Sequence, residues 1–381
     1  MNIKLMEDSF SQEELRAVQQ CFTSGEYTQG KKVREFEEAF AKWNNSKHTV
    51  MVNSGSSANL LAIFILKEQF GLNDGDEVLV PAVTWPTTIY PIIQHNLKPV
   101  FCDVDESYNI SLTSIKKMTT DHTKAIFIVH VLGQPANMGP IMEFCKARNI
   151  TVLEDCCESL GAAYRGNKVG NLGEMGTFSF YFGHHINTIE GGMITTHSEK
   201  LADLLRSARS HGWVRGSPRA KIYEHQFDNL DFVFDMLGYN LRSTNVNAAI
   251  GLVQLKKIDQ FLSIRKSNHA HFISLLRCAK PQKVNFQETS SFSLGILLNS
   301  EDKRKKLLQQ LPKEGIECRP IIAGNLLEQP VFKDKLKNMY RADICNMANA
   351  IHTRGIYLPN HQKMSSNEIE HMVKTIEKIL S

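Results

Sequence analysis

The sequence predicts an α/β protein: a large domain on a mostly parallel mixed sheet flanked by helices, plus a smaller C-terminal α/β domain. Three observations carry this. From about residue 48 to 200, short apolar runs alternate with stretches of helical pattern, as crossover-connected parallel strands require. Several runs are too continuously apolar for a half-exposed strand and suit strands covered on both faces. After Gly238 the pattern changes to one long helical stretch followed by scattered strand and helix signals. The expected division is 1–245 for the large domain and 246–381 for the small one, with a bridging helix leading into it.

The expected strands are Thr49–Val52, Glu77–Val80, Pro99–Cys102, Ala125–Val129, Thr151–Leu153 and Thr177–Phe180. Between them, Ser57–Gln69 and Met138–Arg148 read as helices. The long helix runs roughly from Ser243 to Arg277. Beyond it come a strand, Phe292–Leu298, and helices near 301–310 and 366–380. Basic, polar residues 215–221 have loop character and are a candidate cover for an active site. Parallel sheets of this kind bind ligands in the loops beyond the carboxyl ends of their strands.

Composition narrows the class. With 42% hydrophobic and 22% charged residues in 381, a sizeable core can be buried. A net charge of +4 without a long basic run gives no reason to expect nucleic acid or a membrane surface as partner. The first residues lack the apolar core of a signal peptide and no window approaches a membrane span, so a cytoplasmic protein is expected. The eight cysteines form no CxxC pair, and several sit in apolar surroundings, as reduced thiols do.

Four motifs carry chemistry. Ser54-Gly-Ser56-Ser57 follows a strand and opens a helix, where small residues and free N–H groups suit an anion; a capped helix start explains it about as well. Ser179, at another strand end, is a second candidate for the same anion. Trp85, in a loop after a strand, offers a flat indole to a ring ligand or simply packs. Asp155 and Glu158 end a strand; a carboxylate there can pair with a protonated ring nitrogen or cap a helix. His184 and His185 are adjacent, so they cannot face one pocket in the same way; one is a candidate general base. No carboxylate–histidine spacing nearby supports a metal site, and none is expected.

Taken in order, these segments resemble the sugar aminotransferases that use pyridoxal 5′-phosphate (PLP). The likeness runs through Gly25-Glu-Tyr-Thr28, Lys32–Phe40, Ser54–Ser57, Pro81–Trp85, Glu154-Asp155, Gly238–Arg242 and Gly315–Pro320. It implies PLP fold type I, the aspartate-aminotransferase-like architecture. In that family a lysine stands five residues after the serine and six before the glutamate of the segment matched by Thr177–Met193. Here that position is His184, and no lysine lies between Lys168 and Lys200. The replacement is similar to a small branch of lysine-free, PLP-dependent sugar 3-dehydratases. Gly176-Thr-Phe-Ser179, Ile189-Glu-Gly-Gly192, His211-Gly-Trp213, Glu317–Ile321, Gly324-Asn325 and Asn360-His-Gln362 also resemble that branch. A second His-His branch, CDP-linked, carries an iron–sulfur cluster with a Cys-x-Cys pair; this chain has none.

What the resemblance implies is specific. PLP and pyridoxamine phosphate (PMP) bind without a covalent link, and L-glutamate is the amino donor. The substrate is a nucleotide-linked 4-keto-6-deoxyhexose, GDP-4-keto-6-deoxy-D-mannose, on a route to a 3,6-dideoxyhexose such as colitose. Ser56, Ser57 and Ser179 hold the phosphate, Trp85 stacks on the ring, Asp155 pairs with the ring nitrogen and Glu158 lies near the ring hydroxyl. His184 is the acid and base. Asn240 reaches the phosphate bound by the partner subunit of a homodimer. Arg242, Arg319 and His361 are candidates for nucleotide-sugar or subunit contacts. A true aminotransferase with another base, and a non-catalytic regulatory protein on the same fold, are the alternatives.

Overall fold

Apolar runs at the predicted places become strands because alternate residues bury on opposite faces. In the computed structural model, which describes residues 2–381, Val78 and Val80 enter one core while Leu79 enters another. Ala125, Phe127 and Val129 likewise oppose Ile126 and Ile128. Both faces of the sheet are therefore covered, which explains why these segments show no polar alternation.

The strands are β1 (His48–Val52), β2 (Glu77–Pro81), β3 (Lys98–Cys102), β4 (Thr123–Val129), β5 (Thr151–Asp155), β6 (Ala163–Tyr164), β7 (Asn167–Lys168), β8 (Met175–Ser179), β9 (Gly192–Thr196), β10 (Lys280–Pro281), β11 (Leu294–Leu297), β12 (Arg341–Ala342) and β13 (Gly355–Leu358). Eight of them form one sheet in the order β1-β9-β8-β5-β4-β2-β3-β12. Only β9 runs against the rest: it pairs antiparallel with β1 and β8, while the other pairings are parallel. Strands β10, β11 and β13 make a small antiparallel sheet, and β6 and β7 pair as a hairpin.

All six expected large-sheet strands form, within two residues at each end. The helices Gly55–Gln69, Met138–Ala147, Glu301–Gln310 and Ser366–Leu380 form where expected, and the long helix spans Asn245–Leu275. Strand β9 was not anticipated: it follows the Glu190-Gly-Gly192 turn and is filled by Met193, Ile194 and threonines. Part of residues 215–221 is a short 3-10 helix, Pro218–Ile222, rather than open loop.

A single cut at residue 245 does not separate the two cores. Arg341–Ala342 adds the edge strand β12 to the large sheet, and Ile321, Leu326, Phe332, Ala348 and Ile351 pack into the large-domain core. Conversely, Ile3 belongs to the small-domain core with Leu294, Ile296, Ile356 and Leu358. Apolar periodicity marks which face of an element is buried but not which core receives it. Among the described residues, no helix is long and apolar enough to cross a membrane.

Candidate active site

Four strand ends supply the site. Ser54–Ser56 and Thr84–Trp85 follow β1 and β2, Asp155 and Ser179 end β5 and β8, and all border one cleft of about 360 Å³. Met6, Cys157, Glu158, Tyr181, Gly183, His184, Glu190, Phe292, Arg319, Ile322 and Tyr357 complete its walls.

Helix Gly55–Gln69 points its N-terminus into the cleft, capped by Ser54, whose Oγ accepts from the Ser57 N–H at 3.1 Å. The free N–H groups and the helix dipole favour an anion there. Gly55 is required for the approach of β8: a Cβ on it would lie 2.6 Å from Ser179 Cβ. Ser56 and Ser179 border the cleft. Ser57 does not line it; its hydroxyl accepts from Ser54 Oγ at 3.0 Å, which leaves its own O–H free to donate.

Trp85 precedes the helix Pro86–Gln94 as its N-cap and is 58% exposed, its indole open to the cleft. Asp155 is buried and held by neutral donors. Its Oδ2 accepts from Asn59 Nδ2 (2.9 Å) and Thr88 Oγ1 (2.8 Å), and its Oδ1 from the Cys157 N–H (3.1 Å). Among the described residues no cation lies within salt-bridge distance of it. A buried carboxylate with oriented oxygens, spare acceptor capacity and no cation is complementary to a protonated ring nitrogen. Its neighbours Asn59 and Thr88 were missed in the sequence. Thr88 lies three residues after Trp85, one turn into the same helix, which is the signal that would have found it.

Glu158 accepts from the Leu132 N–H at 3.0 Å. Burial pushes its carboxyl up to about 7, with the Asp155 charge adding to the rise. Glu154, the other carboxylate at this strand end, faces the opposite way. Its oxygens accept from the N–H groups of Gly170, Leu172 and Gly173 and from His130 Nε2 at 3.1 Å. His130 Nδ1 accepts from the Ala136 N–H, so Nε2 carries the proton. His130, Glu154 and Cys156 lie close enough to share an ion, but these filled hydrogen bonds make the group a structural brace.

The two histidines separate as adjacent residues on a turn must. His184 borders the cleft, its ring 5.5 Å from Phe292 and 6.1 Å edge-on to Tyr181. Its Nδ1 is buried and has no protein partner. Burial, with the Arg265 charge behind it, pushes the imidazole down to about 4, so it is a neutral base near pH 7. His185 is 1% exposed, turned into the interior, where its Nε2 meets the Ser290 carbonyl at 3.2 Å. Among the described residues no lysine borders the cleft.

The remaining predicted residues divide. Arg319 reaches the cleft beside Tyr357, with which its backbone exchanges hydrogen bonds of 2.8 and 3.1 Å. Asn240 and Arg242 do not; they border a separate cavity of about 860 Å³ with Thr28, Arg206, Arg209 and Arg215. Residues 215–217 border that cavity as well, so they do not cover the cleft within one chain. His361 does not border the cleft either: it is 5% exposed and accepts from the Lys363 N–H through Nδ1.

A mixed sheet that gathers an anion-binding helix start, an open indole and a buried, cation-free carboxylate at its strand ends has the fold of the PLP-dependent aminotransferases. The chain belongs to the DegT/DnrJ/EryC1/StrS aminotransferase family, whose model matches residues 8–377. It is 37% identical, over 392 aligned residues, to GDP-4-keto-6-deoxy-D-mannose 3-dehydratase of Escherichia coli O55:H7, covering 99% of this chain and 100% of that protein. Two solved structures are similar over 100% of both chains. One is GDP-4-keto-6-deoxymannose-3-dehydratase with a trapped PLP–glutamate geminal diamine, at TM-score 0.93 and 37% identity. The other is a variant of GDP-4-keto-6-deoxymannose-3-dehydratase with bound GDP-perosamine, at TM-score 0.93 and 36% identity.

Proposed function

We propose that this protein is a PLP-dependent dehydratase. It removes the C3 hydroxyl of a nucleotide-linked 4-keto-6-deoxyhexose, GDP-4-keto-6-deoxy-D-mannose, in the cytoplasmic formation of a 3,6-dideoxyhexose of the colitose type. The observation that carries this reading is the base in the cleft: a histidine, His184, where aminotransferases place lysine.

When bound, PLP supplies the electron sink and, as PMP formed with L-glutamate, the amine that engages the sugar ketone. The chain's residues do the rest. Asp155, oriented by Asn59 and Thr88, keeps a proton on the ring nitrogen. Trp85 covers one face of the ring. Ser56, Ser179 and the N–H groups at the start of the helix Gly55–Gln69 take the phosphate, and Glu158 stands by the ring hydroxyl. His184, neutral at working pH, would be the group to accept the proton from C4′ of the cofactor and to return it to the departing C3 oxygen. An imidazole would not anchor the cofactor as a lysine does, so the cofactor would be held non-covalently, and in this reading hydrolysis by water would release the nitrogen as ammonia rather than leave it on the sugar.

The functional unit in this reading is a homodimer. Asn240 is exposed and lies on a different cavity from Asp155, so it serves the phosphate site of a second subunit. Arg242 shares that cavity, and Arg319 is the cation left to meet the substrate within one chain. Borohydride treatment of the PLP-loaded protein, followed by mass spectrometry under denaturing conditions, tests the lysine-free site. The chain mass should be unchanged; a reduced cofactor adduct on a lysine would overturn the reading.

A further inference from the structure

The N-terminal arm is stitched to the small domain and then enters the cleft. The Ile3 N–H donates to the Gly315 carbonyl at 2.7 Å, and the Glu317 N–H donates back to Ile3 at 2.9 Å. The Leu5 N–H donates to Glu317 Oε2 at 2.8 Å, and Ile3 and Leu5 are buried. This pairing delivers Met6, the residue after Leu5, to the wall of the same cleft as His184.

Met6 occupies the space that position 183 leaves by having no side chain. A Cβ on Gly183 would lie 2.2 Å from Met6 Sδ, 2.9 Å from Cε and 3.2 Å from Cγ; its three nearest neighbours are all Met6. Gly183 does not have positive φ, so its backbone accepts an L-residue and only Met6 stands in the way. Gly183 lies within the turn closed by the hydrogen bond from His184 N–H to the Tyr181 carbonyl, 2.9 Å long. The His184 ring itself lies 5.5 Å from that of Phe292. An unbranched thioether fills such an irregular gap well.

We propose that Met6 is a positioning residue of the active site. Seated on Gly183, it fixes the Tyr181–His184 turn and with it the direction of the His184 imidazole, while the anchored arm forms the substrate-side wall of the cleft. The proposal rests on His184 being the base. It makes the arm, far from the site in sequence, part of the catalytic architecture. A displacement of about 1 Å in such a turn costs on the order of 100-fold in rate.

The test is a two-residue cycle with Met6→Ala and Gly183→Ala. It is read in the glutamate half-reaction, where PLP is converted to PMP, and in trypsin cleavage after Lys4 of the cofactor-free chain. Gly183→Ala sets a Cβ 2.2 Å from Met6 Sδ, so the Tyr181–His184 turn and Met6 must move apart. It should lower kcat by about 100-fold with little change in KM, and speed cleavage of the arm. Met6→Ala should lower kcat by about threefold to tenfold. Removing the clash in the double variant should then restore both kcat and the cleavage rate to the Met6→Ala level, a coupling that independent sites do not show. Wild-type kcat in Gly183→Ala, or a double variant whose loss is the product of the single losses, would overturn the proposal. If Gly183→Ala does not fold, Met6→Ala decides: unchanged kcat overturns the proposal, and a fall of threefold or more reversed by Met6→Leu supports it. Failure of the wild-type protein to convert PLP with glutamate would instead sink the proposed function.

Discussion

Replacing His184 by asparagine should stop the chemistry and spare the fold, whereas the same change at His185 should do the reverse. His184 stands in the cleft with an imidazole pushed down to about 4 by burial and by Arg265, so at pH 7 roughly one molecule in a thousand carries the proton. Nearly every molecule therefore has the base form ready. Removing a positioned general base costs typically ~10²- to 10⁴-fold, or about 3–5 kcal/mol of barrier. His185 lies 1% exposed with its Nε2 on the Ser290 carbonyl and its ring 5.4 Å from Phe292. Shortening it removes buried ring surface and one hydrogen bond, a stability loss of about 2–4 kcal/mol. The assay is the absorbance change from PLP to PMP with glutamate, paired with thermal unfolding of each variant. His184→Asn should bind PLP, unfold near the wild-type temperature and turn over at least ~100-fold slower. His185→Asn should unfold earlier but keep kcat per folded molecule within about tenfold. The wild-type acid limb should lie near pH 4, where His184 takes up its proton, rather than near 6.5. An active His184→Asn beside a folded but dead His185→Asn would refute the reasoning.

Four further outcomes are expected. Asp155→Asn should keep PLP bound but slow the half-reaction by more than ~100-fold, and Thr88→Val, which removes the 2.8 Å hydrogen bonds of its hydroxyl with Asp155 and Thr84, by about fivefold; steady-state kinetics decides. Sedimentation at working concentration should show a dimer or a multiple of one, and mixing Asn240→Ala with His184→Asn subunits should alter activity non-additively; a fully active monomer would contradict the Asn240 assignment. Burial would raise the Glu14 carboxyl, but Lys257, Ser11 and Gln254 outweigh burial and hold it at about 2. Its stabilising contribution should thus be complete above pH 4.5 and fade as pH falls toward 2, and Glu14→Gln should flatten that part of an acid-unfolding curve. Chelators should leave turnover unchanged and the protein should lack cluster absorption; stoichiometric iron, or dependence on a reductase, would move it to the electron-coupled branch.

The residues legible in the sequence were those on motifs with local geometry. Asp155 and Ser179 end their strands, and Ser54–Ser56 and Trp85 follow theirs within four positions, so the topology of a parallel sheet brings them to one edge without further information. His184 was readable from its offsets to Ser179 and Glu190, and the turn separates it from His185. What stayed hidden depends on contacts across long separations. Met6 reaches the cleft only because Ile3 pairs beside Ile316, and Asn59 reaches Asp155 across 96 positions. The sequence does not show that the Ser57 hydroxyl accepts from Ser54 Oγ while the Ser57 N–H caps back onto it. His361 was carried by motif likeness alone, and its own turn to Lys363 absorbs the ring nitrogen. Strand β12 is two residues long, too short for any periodicity to register.

The most direct test of the central claim is the product itself. Purified protein incubated with PLP, L-glutamate and GDP-4-keto-6-deoxymannose should yield a sugar nucleotide that has lost the C3 oxygen and carries no nitrogen on the hexose, with ammonia and 2-oxoglutarate released in step. Mass spectrometry with ¹⁵N-labelled glutamate reads this in one experiment. A hexose that retains its C3 hydroxyl and carries the ¹⁵N at C4 would mean that His184 does not redirect the reaction, and would contradict the account.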